Sequence, residues 1–288
     1  VTLEANPGTL TAESLEGYRV AGINRLSLGV QSMDDRRLRY EGRIHTAEEV
    51  RRDVKMAREA GFHNINLDLI FAIPGTDVSD AMEDLEAIAA LEPEHISFYS
   101  LQLEEGTAFF RDFEAGKLRE VPDETDREMY HRGIQALREK GYRHYEISNF
   151  ARPGYESRHN SKYWNMAEYV GLGLGASSYT GHRRTVNETD LKVYSEKLDR
   201  GELAFMEVHE NSEADDISEA VFTGLRREEG VRYRDILGSE AAFWEYFREA
   251  LPEAREYEAG GFLEITDEGL RLTERGIDIS NGIMALFV

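Results

Sequence analysis

Between Val1 and about Phe150, short runs in which apolar and polar residues alternate are separated by longer stretches of helical periodicity. The alternating runs predict strands at Val1–Asn6, Arg25–Gln31, Ile65–Ile70, His95–Leu101 and Tyr145–Asn149. The intervening stretches predict helices at Thr11–Ala21, Ala47–Ala60, Ser79–Leu91 and Glu124–Lys140. Gly22, Gly61 and Gly141 stand just past three of these helices, where left-handed backbone is needed, and Thr46 with Glu49 forms a capping box ahead of the second. Strand–helix alternation of this kind builds a parallel sheet covered by helices, and doubly wound sheets and (β/α) barrels both fit.

The strand faces distinguish them. A parallel strand sandwiched between two helix layers is apolar on both sides. Here Thr2, Glu4 and Asn6 alternate with Val1, Leu3 and Ala5, and Arg25, Ser27, Gly29 and Gln31 with Leu26, Leu28 and Val30. Asn66 and Asp68 alternate with Ile65, Leu67 and Leu69, and His95, Ser97 and Tyr99 with Ile96 and Phe98. Residues two apart share a face, so each strand has one face for helices and one polar face turned to a shared interior. Burying ionisable groups there is costly unless they bind something or satisfy one another. A ligand cavity and a closed polar network are the two readings, and four strands behaving alike favour the cavity.

Beyond Asn149 the pattern changes. Ser157-Arg158-His159-Asn160, Tyr163-Trp164 and the Gly-rich Gly171–Ala176 precede a helix predicted at Thr189–Gly201. The glycines superficially resemble a dinucleotide fingerprint, but no clear strand leads into them and no acidic residue follows at the required spacing. After the acidic stretch Glu207–Asp216 come predicted helices at Ile217–Leu225, Tyr233–Leu237 and Ala241–Tyr257. A hairpin follows, from Phe262–Thr266 to Leu270–Thr273 across Asp267-Glu268-Gly269, with a last helix from Ser280. Helices followed by such a hairpin predict a winged-helix-like module over 207–288, behind a first domain over 1–206.

Charge narrows the partners. Among 288 residues, 56 acidic against 34 basic side chains leave a net charge of −22, which repels phosphate backbones and anionic lipid. Nucleic acid is therefore not an expected partner, for the module included, and its expected role is docking on the main domain. With 41% hydrophobic residues the chain can bury a core. No apolar run approaches the ~20 residues of a membrane span, and no signal peptide is visible, so a cytoplasmic location is expected. There is no cysteine, which removes disulfides and any thiolate-held metal or iron–sulfur cluster built from these residues. The chain opens on Val1, already within a predicted strand, and is expected to be a fragment that begins inside a domain.

Several side chains are candidates for chemistry. Glu4, at the end of the first strand before Asn6-Pro7-Gly8, is placed to accept bonds from a ligand amine or hydroxyl, or to pair with Arg25. Asp68 stands in a strand too apolar to hold a carboxylate without a partner, and suits a ribose diol or an internal ion pair. The turn Ile73-Pro74-Gly75-Thr76 behind it suits close ligand approach. Gln31 offers donor and acceptor together, and Arg43 forks onto a carboxylate or serves as a surface charge. His159, flanked by Tyr163 and Trp164, suits heme ligation or stacking, or an ordinary structural hydrogen bond.

Taken in order, these segments resemble a known family. They are Glu4–Gly8, Gly22–Ser32, Leu67–Gly75, Glu104–Thr107, Tyr145–Gly154 and His-Asn-x-x-Tyr-Trp at 159–164. The family is that of radical S-adenosylmethionine proteins related to oxygen-independent coproporphyrinogen III oxidase, and the His159–Trp164 motif resembles its heme-chaperone branch. The resemblance covers nearly the whole chain and implies an α/β fold, a partial (β/α)6 barrel with the winged-helix-like module behind it. It implies that Glu4, Gln31, Arg43 and Asp68, and more loosely Ser100 and Tyr179, contact S-adenosylmethionine, with His159 the heme candidate. It implies a [4Fe–4S] cluster on a Cys-x-x-x-Cys-x-x-Cys loop and a Gly-rich segment, both expected upstream of Val1, so that the 288 residues alone would be inert in radical chemistry. Two activities stay open. One is heme binding and delivery to an acceptor protein; the other is the oxidase reaction on a porphyrinogen propionate.

Overall fold

The computed structural model describes the backbone of residues 1–288 and every side chain but that of Ala108. Two compact units divide it, Val1–Glu156 and Ser157–Val288.

In the first unit the elements run β1 (Thr2–Ala5), α1 (Ala12–Val20), β2 (Arg25–Gln31), α2 (Asp35–Tyr40), α3 (Ala47–Glu59), β3 (Ile65–Phe71), α4 (Val78–Ala89) and β4 (His95–Ser100). There follow α5 (Ala108–Glu114), α6 (Asp123–Glu139), β5 (Arg143–Glu146) and β6 (Asn149–Ala151). The six strands form one sheet in the order β1-β2-β3-β4-β6-β5. The first four are parallel, with Glu4 beside Ser27, Ser27 beside Asn66 and Asp68 beside Ser97, so the polar residues of neighbouring strands fall in register. The apolar set, including Leu26, Leu28, Ile65, Leu67, Ile96 and Phe98, is fully buried. Helix residues such as Leu15, Val50, Leu85, Ile88, Ile134 and Leu137 are buried with them. Each such side chain is worth about 1.5–3 kcal/mol in burial, and this packing holds the helices against the sheet. Gly133 of α6 is required by it, because a Cβ there would lie 2.2 Å from the Phe98 ring.

The predicted parallel strand at Tyr145–Asn149 is instead two short strands. β6 runs antiparallel to both β4 and β5, and the chain reverses at Ile147–Ser148. No Gly, Pro or Asn-Gly marks that turn, so the alternation read straight through it.

The second unit begins with α7 (Arg158–Trp164). It continues through β7 (Ser177–Thr180), β8 (Arg183–Asn187), α8 (Leu191–Asp199) and β9 (Phe205–Glu210), the three strands forming an antiparallel sheet. Positive φ at Gly181 and His182 closes the β7–β8 hairpin. The segment read as an acidic stretch is β9 and the start of α9 (Glu213–Gly224), which Ser212 and Asp215 cap as a box. Then come β10 (Val231–Arg232), α10 (Tyr233–Ile236), α11 (Glu240–Tyr246), α12 (Leu251–Ala259), β11 (Leu263–Ile265), β12 (Gly269–Leu272), α13 (Glu274–Ile277) and α14 (Ser280–Met284). The predicted helix Ala241–Tyr257 is broken into α11 and α12, because Pro252 cannot supply the N–H that would continue it. The predicted hairpin is present as β11–β12, closed by Thr266 N–H donating to Gly269 O at 2.8 Å. Val221, Tyr233, Phe243, Trp244, Leu270 and Phe287 centre a core of this module's own.

Candidate functional site

In the first unit the candidate side chains stand at the carboxyl ends of the parallel strands, where α/β folds place their chemistry. Gln31 closes β2 in left-handed backbone, φ +69°, after a bulge that pairs it with Leu69 one residue out of step. For a residue with a Cβ this conformation is costly, and together with the bulge it re-aims the side chain. The amide is buried and accepts from Tyr99 Oη at 3.3 Å. Gly29 leaves it room: a Cβ there would be 3.0 Å from Gln31 Nε2 and 3.8 Å from Asn6 Oδ1. Asp68 accepts from Asn66 Nδ2 at 2.7 Å. Burial raises its carboxyl; Ser97 and Asn66 oppose the rise by hydrogen bonding, Glu4 adds to it, and the Arg25 guanidinium opposes it. Glu4 itself is exposed at the end of β1.

The amino-terminal part of the same polar face satisfies itself. Asn66 Nδ2 also donates to Ser27 Oγ at 2.8 Å, and His95 bridges Asn66 Oδ1 at 2.5 Å and Tyr145 Oη at 2.8 Å. Burial, helped by the Arg25 charge, pushes the His95 imidazole down to about 3, so it is neutral. The closed-network reading thus describes the residues around Asn66, Asp68 included, while Gln31 is tied to Tyr99 and Glu4 alone of the candidates on this face is exposed.

Arg43 lies beyond α2. Its side chain makes no hydrogen bond among the described residues, and its one ion pair is a 3.9 Å contact from Nε to Glu41 Oε2. It lines a cleft of about 320 Å³ with Glu41, Ile70, Leu101, Gln102 and Phe109. A neighbouring cleft of about 380 Å³ includes the predicted turn Ile73–Thr76. Ser100 donates to the Asp126 carboxylate of α6, so its hydroxyl is engaged. Tyr179 belongs to the second unit, where its phenol donates to Asp216 at 2.8 Å beneath Arg184; burial and Asp216 push it up to about 12.

His159 also lies in the second unit, exposed on α7, with Tyr163 Oη 2.7 Å from its Nε2. Tyr163 meets Tyr169 edge-on at 4.6 Å, and Trp164 carries the Arg226 guanidinium 4.7 Å above its ring. The motif thus presents an imidazole whose Nδ1 has no partner among the described residues, backed by aromatic rings.

Four residues that the sequence reading passed over bear on the site. Tyr99 ties it together: its hydroxyl serves Gln31, and its phenol is pushed up to about 12 by burial first and then by Asp68, with Glu41 adding to the effect. Asp53, fully buried, accepts from Gly8 N–H at 2.6 Å and braces the turn after Glu4. Asp84 accepts from Ser32 Oγ and Met33 N–H, both at 2.7 Å, and braces the turn after Gln31. Glu41 is the fourth. The two aspartates left a signal, since each falls on the apolar stripe of its helix, beside Val50 and Val54 or Ala81 and Leu85.

Residues 1–88 match the radical SAM superfamily, and residues 211–279 match the HemN C-terminal domain. The heme chaperone HemW of Bacillus subtilis is 35% identical over 99% of this chain and 75% of its own. The mitochondrial radical S-adenosyl methionine domain-containing protein 1 of zebrafish (Danio rerio) is 33% identical over 99% of this chain and 66% of its own. The solved structure of Escherichia coli coproporphyrinogen III oxidase, HemN, a radical SAM enzyme, superposes with a TM-score of 0.83 at 23% identity, over 99% of this chain and 69% of that one. The fold is the radical SAM fold, and within that superfamily the chain belongs to the HemW family.

The donor set fits S-adenosylmethionine: two carboxylates, a carboxamide held in left-handed backbone against Gly29, and a guanidinium that makes no hydrogen bond among the described residues. It does not fit an iron–sulfur cluster. The chain has no cysteine, so none of its residues supplies a thiolate, and no cluster chemistry is assigned to them.

Proposed function

We propose that this protein is a heme chaperone that binds heme, passes it to an acceptor protein, and holds S-adenosylmethionine at the carboxyl ends of β1–β4. The observation that carries the reading is the likeness to the heme chaperone HemW along 99% of the chain, with the His159–Trp164 motif presented at the surface of α7. Bound there, S-adenosylmethionine would supply a sulfonium for cleavage. The chain's own residues bind and orient. Glu4 accepts from an amine, Asp68 from a ribose diol, Gln31 does both, and Arg43 faces a carboxylate. Ser100 and Tyr179, both already engaged, act at most through Asp126 and Asp216. His159 takes the heme cargo through its open nitrogen, with the Tyr163 and Tyr169 rings against the macrocycle edge.

Among the described residues no helix is long and apolar enough to cross a membrane, and the acidic surface argues against nucleic acid as a partner. A cytoplasmic site of action is part of the proposed reading. The oxidase reading has fold likeness on its side, and one fold serves both activities. Heme-loaded full-length protein mixed with an apo-acceptor should lose its heme to the acceptor, and the same protein given coproporphyrinogen III should leave it unchanged. Decarboxylation of that substrate would replace this reading with the oxidase.

A further inference from the structure

Glu41 stands at the C-cap of α2 with its side chain only 4% exposed. Among the described residues its Oε1 is buried without a hydrogen-bond partner, and its Oε2 reaches only Arg43, at 3.9 Å. A buried carboxylate with one oxygen unserved is uncommon and costly. The groups that face it come from three directions. Arg43 lies on its own loop. Arg37 of α2 is already shared between Asp80 and Asp84 of α4, at 2.8 and 2.9 Å, so it offers Glu41 little attraction that Asp84 does not offset. Tyr99 of β4 is neutral, and Glu104 lies across the cleft that Glu41 and Arg43 line together.

We infer that Glu41 is a proton-operated gate on Arg43, releasing the guanidinium to an anionic ligand group when protonated and holding it when ionised. The inference rests on the reading of Arg43 as part of the cofactor cleft. Arg43 has no other ion pair among the described residues, so the charge of Glu41 decides whether the guanidinium is neutralised at home. Burial, with Asp84 adding, raises the Glu41 carboxyl to about 7, against the opposing charges of Arg43 and Arg37. The gate thus turns in the neutral range. The sign follows: a ligand carboxylate on Arg43 favours the protonated form, so its binding takes up a proton and weakens as the pH rises.

The test is S-adenosylmethionine binding to the full-length protein by calorimetry, at about pH 6 and about pH 8, in the wild type and in Glu41→Gln. The wild type should lose about tenfold in affinity between the two. Glu41→Gln, neutral at both, should hold the lower-pH affinity throughout. Titration of the ligand's own amine is common to both proteins and cancels in the comparison. Arg43→Gln should bind weakly at both pH values without the Glu41-dependent slope. Binding with the same pH slope in wild type and Glu41→Gln would overturn the gate and leave the cofactor reading standing. No binding by the folded wild type at either pH would overturn the cofactor reading, and the gate with it.

Discussion

Tyr163 Oη lies 2.7 Å from His159 Nε2, one helical turn along α7. The contact occupies one of the two imidazole nitrogens and fixes the ring edge-on to Tyr163, with centroids 5.0 Å apart. An exposed histidine held this way is oriented before any ligand arrives, and orientation reduces the entropy lost on binding.

Removing that hydroxyl sets iron against hydrogen bond. With heme taken through the open Nδ1, Tyr163→Phe loses the orienting bond and heme affinity should fall by about fivefold, the worth of one hydrogen bond of about 1 kcal/mol. A rise of similar size would place the iron on Nε2 instead. Heme titration of the variant separates the two, and an unchanged affinity would remove the pair from the heme site.

Asp68 is the second test. Its carboxyl is half-buried, accepts from Asn66, and is pushed up by burial. Asp68→Ala in the full-length protein should weaken S-adenosylmethionine binding by about 1–3 kcal/mol, because the ligand group it served is left unpaired. Calorimetry beside a circular dichroism spectrum checks it, and an unaltered affinity in a folded variant would take Asp68 out of the site.

His95 predicts a pH dependence of stability. In the folded protein it stays neutral down to about 3, while its ordinary value is 6.5. The unfolded chain binds the extra proton between these values, so stability falls as the pH drops from 6.5 towards 3. The slope is about 1.4 kcal/mol per pH unit from this residue alone. Denaturant melts of the wild type and His95→Gln across that window should differ by this slope, and parallel curves would contradict the buried neutral imidazole.

Two glycines in helices should respond oppositely to alanine. Gly133→Ala drives a methyl into Phe98, which is itself fully buried, and should cost about 1–3 kcal/mol. Gly17→Ala in α1 meets nothing within 4 Å and should gain about 0.5–1 kcal/mol. Thermal melts of both decide whether α6 sits on β4 as closely as described.

Much of this was readable from the residues. The first four strands follow from alternation as regular as Leu26-Ser27-Leu28, and the hydrogen-bonded network around Asn66 follows from the polar residues that share its face. What was not readable has physical causes. The reversal at Ile147–Ser148 uses no turn residue. The β7–β9 sheet went unread although Tyr179, Thr180, Thr185 and Val186 favour strands, because the glycines before it and the charges after it masked the pattern. Short α2, α5 and α7, none longer than seven residues, give too little periodicity to detect. Glu41 stood next to a glycine at a helix end, where a glutamate ordinarily points to solvent; only the fold buries it. Asp53 and Asp84 could have been found, since a carboxylate on an apolar helical stripe must have a partner.

The central claim is that heme is held through His159, and a heme titration followed at the Soret band, with His159→Ala alongside, tests it most directly. The account predicts saturable binding by the wild type and a clear loss of affinity in the variant. Binding indifferent to His159, or no binding by a chain shown to be folded, would contradict it.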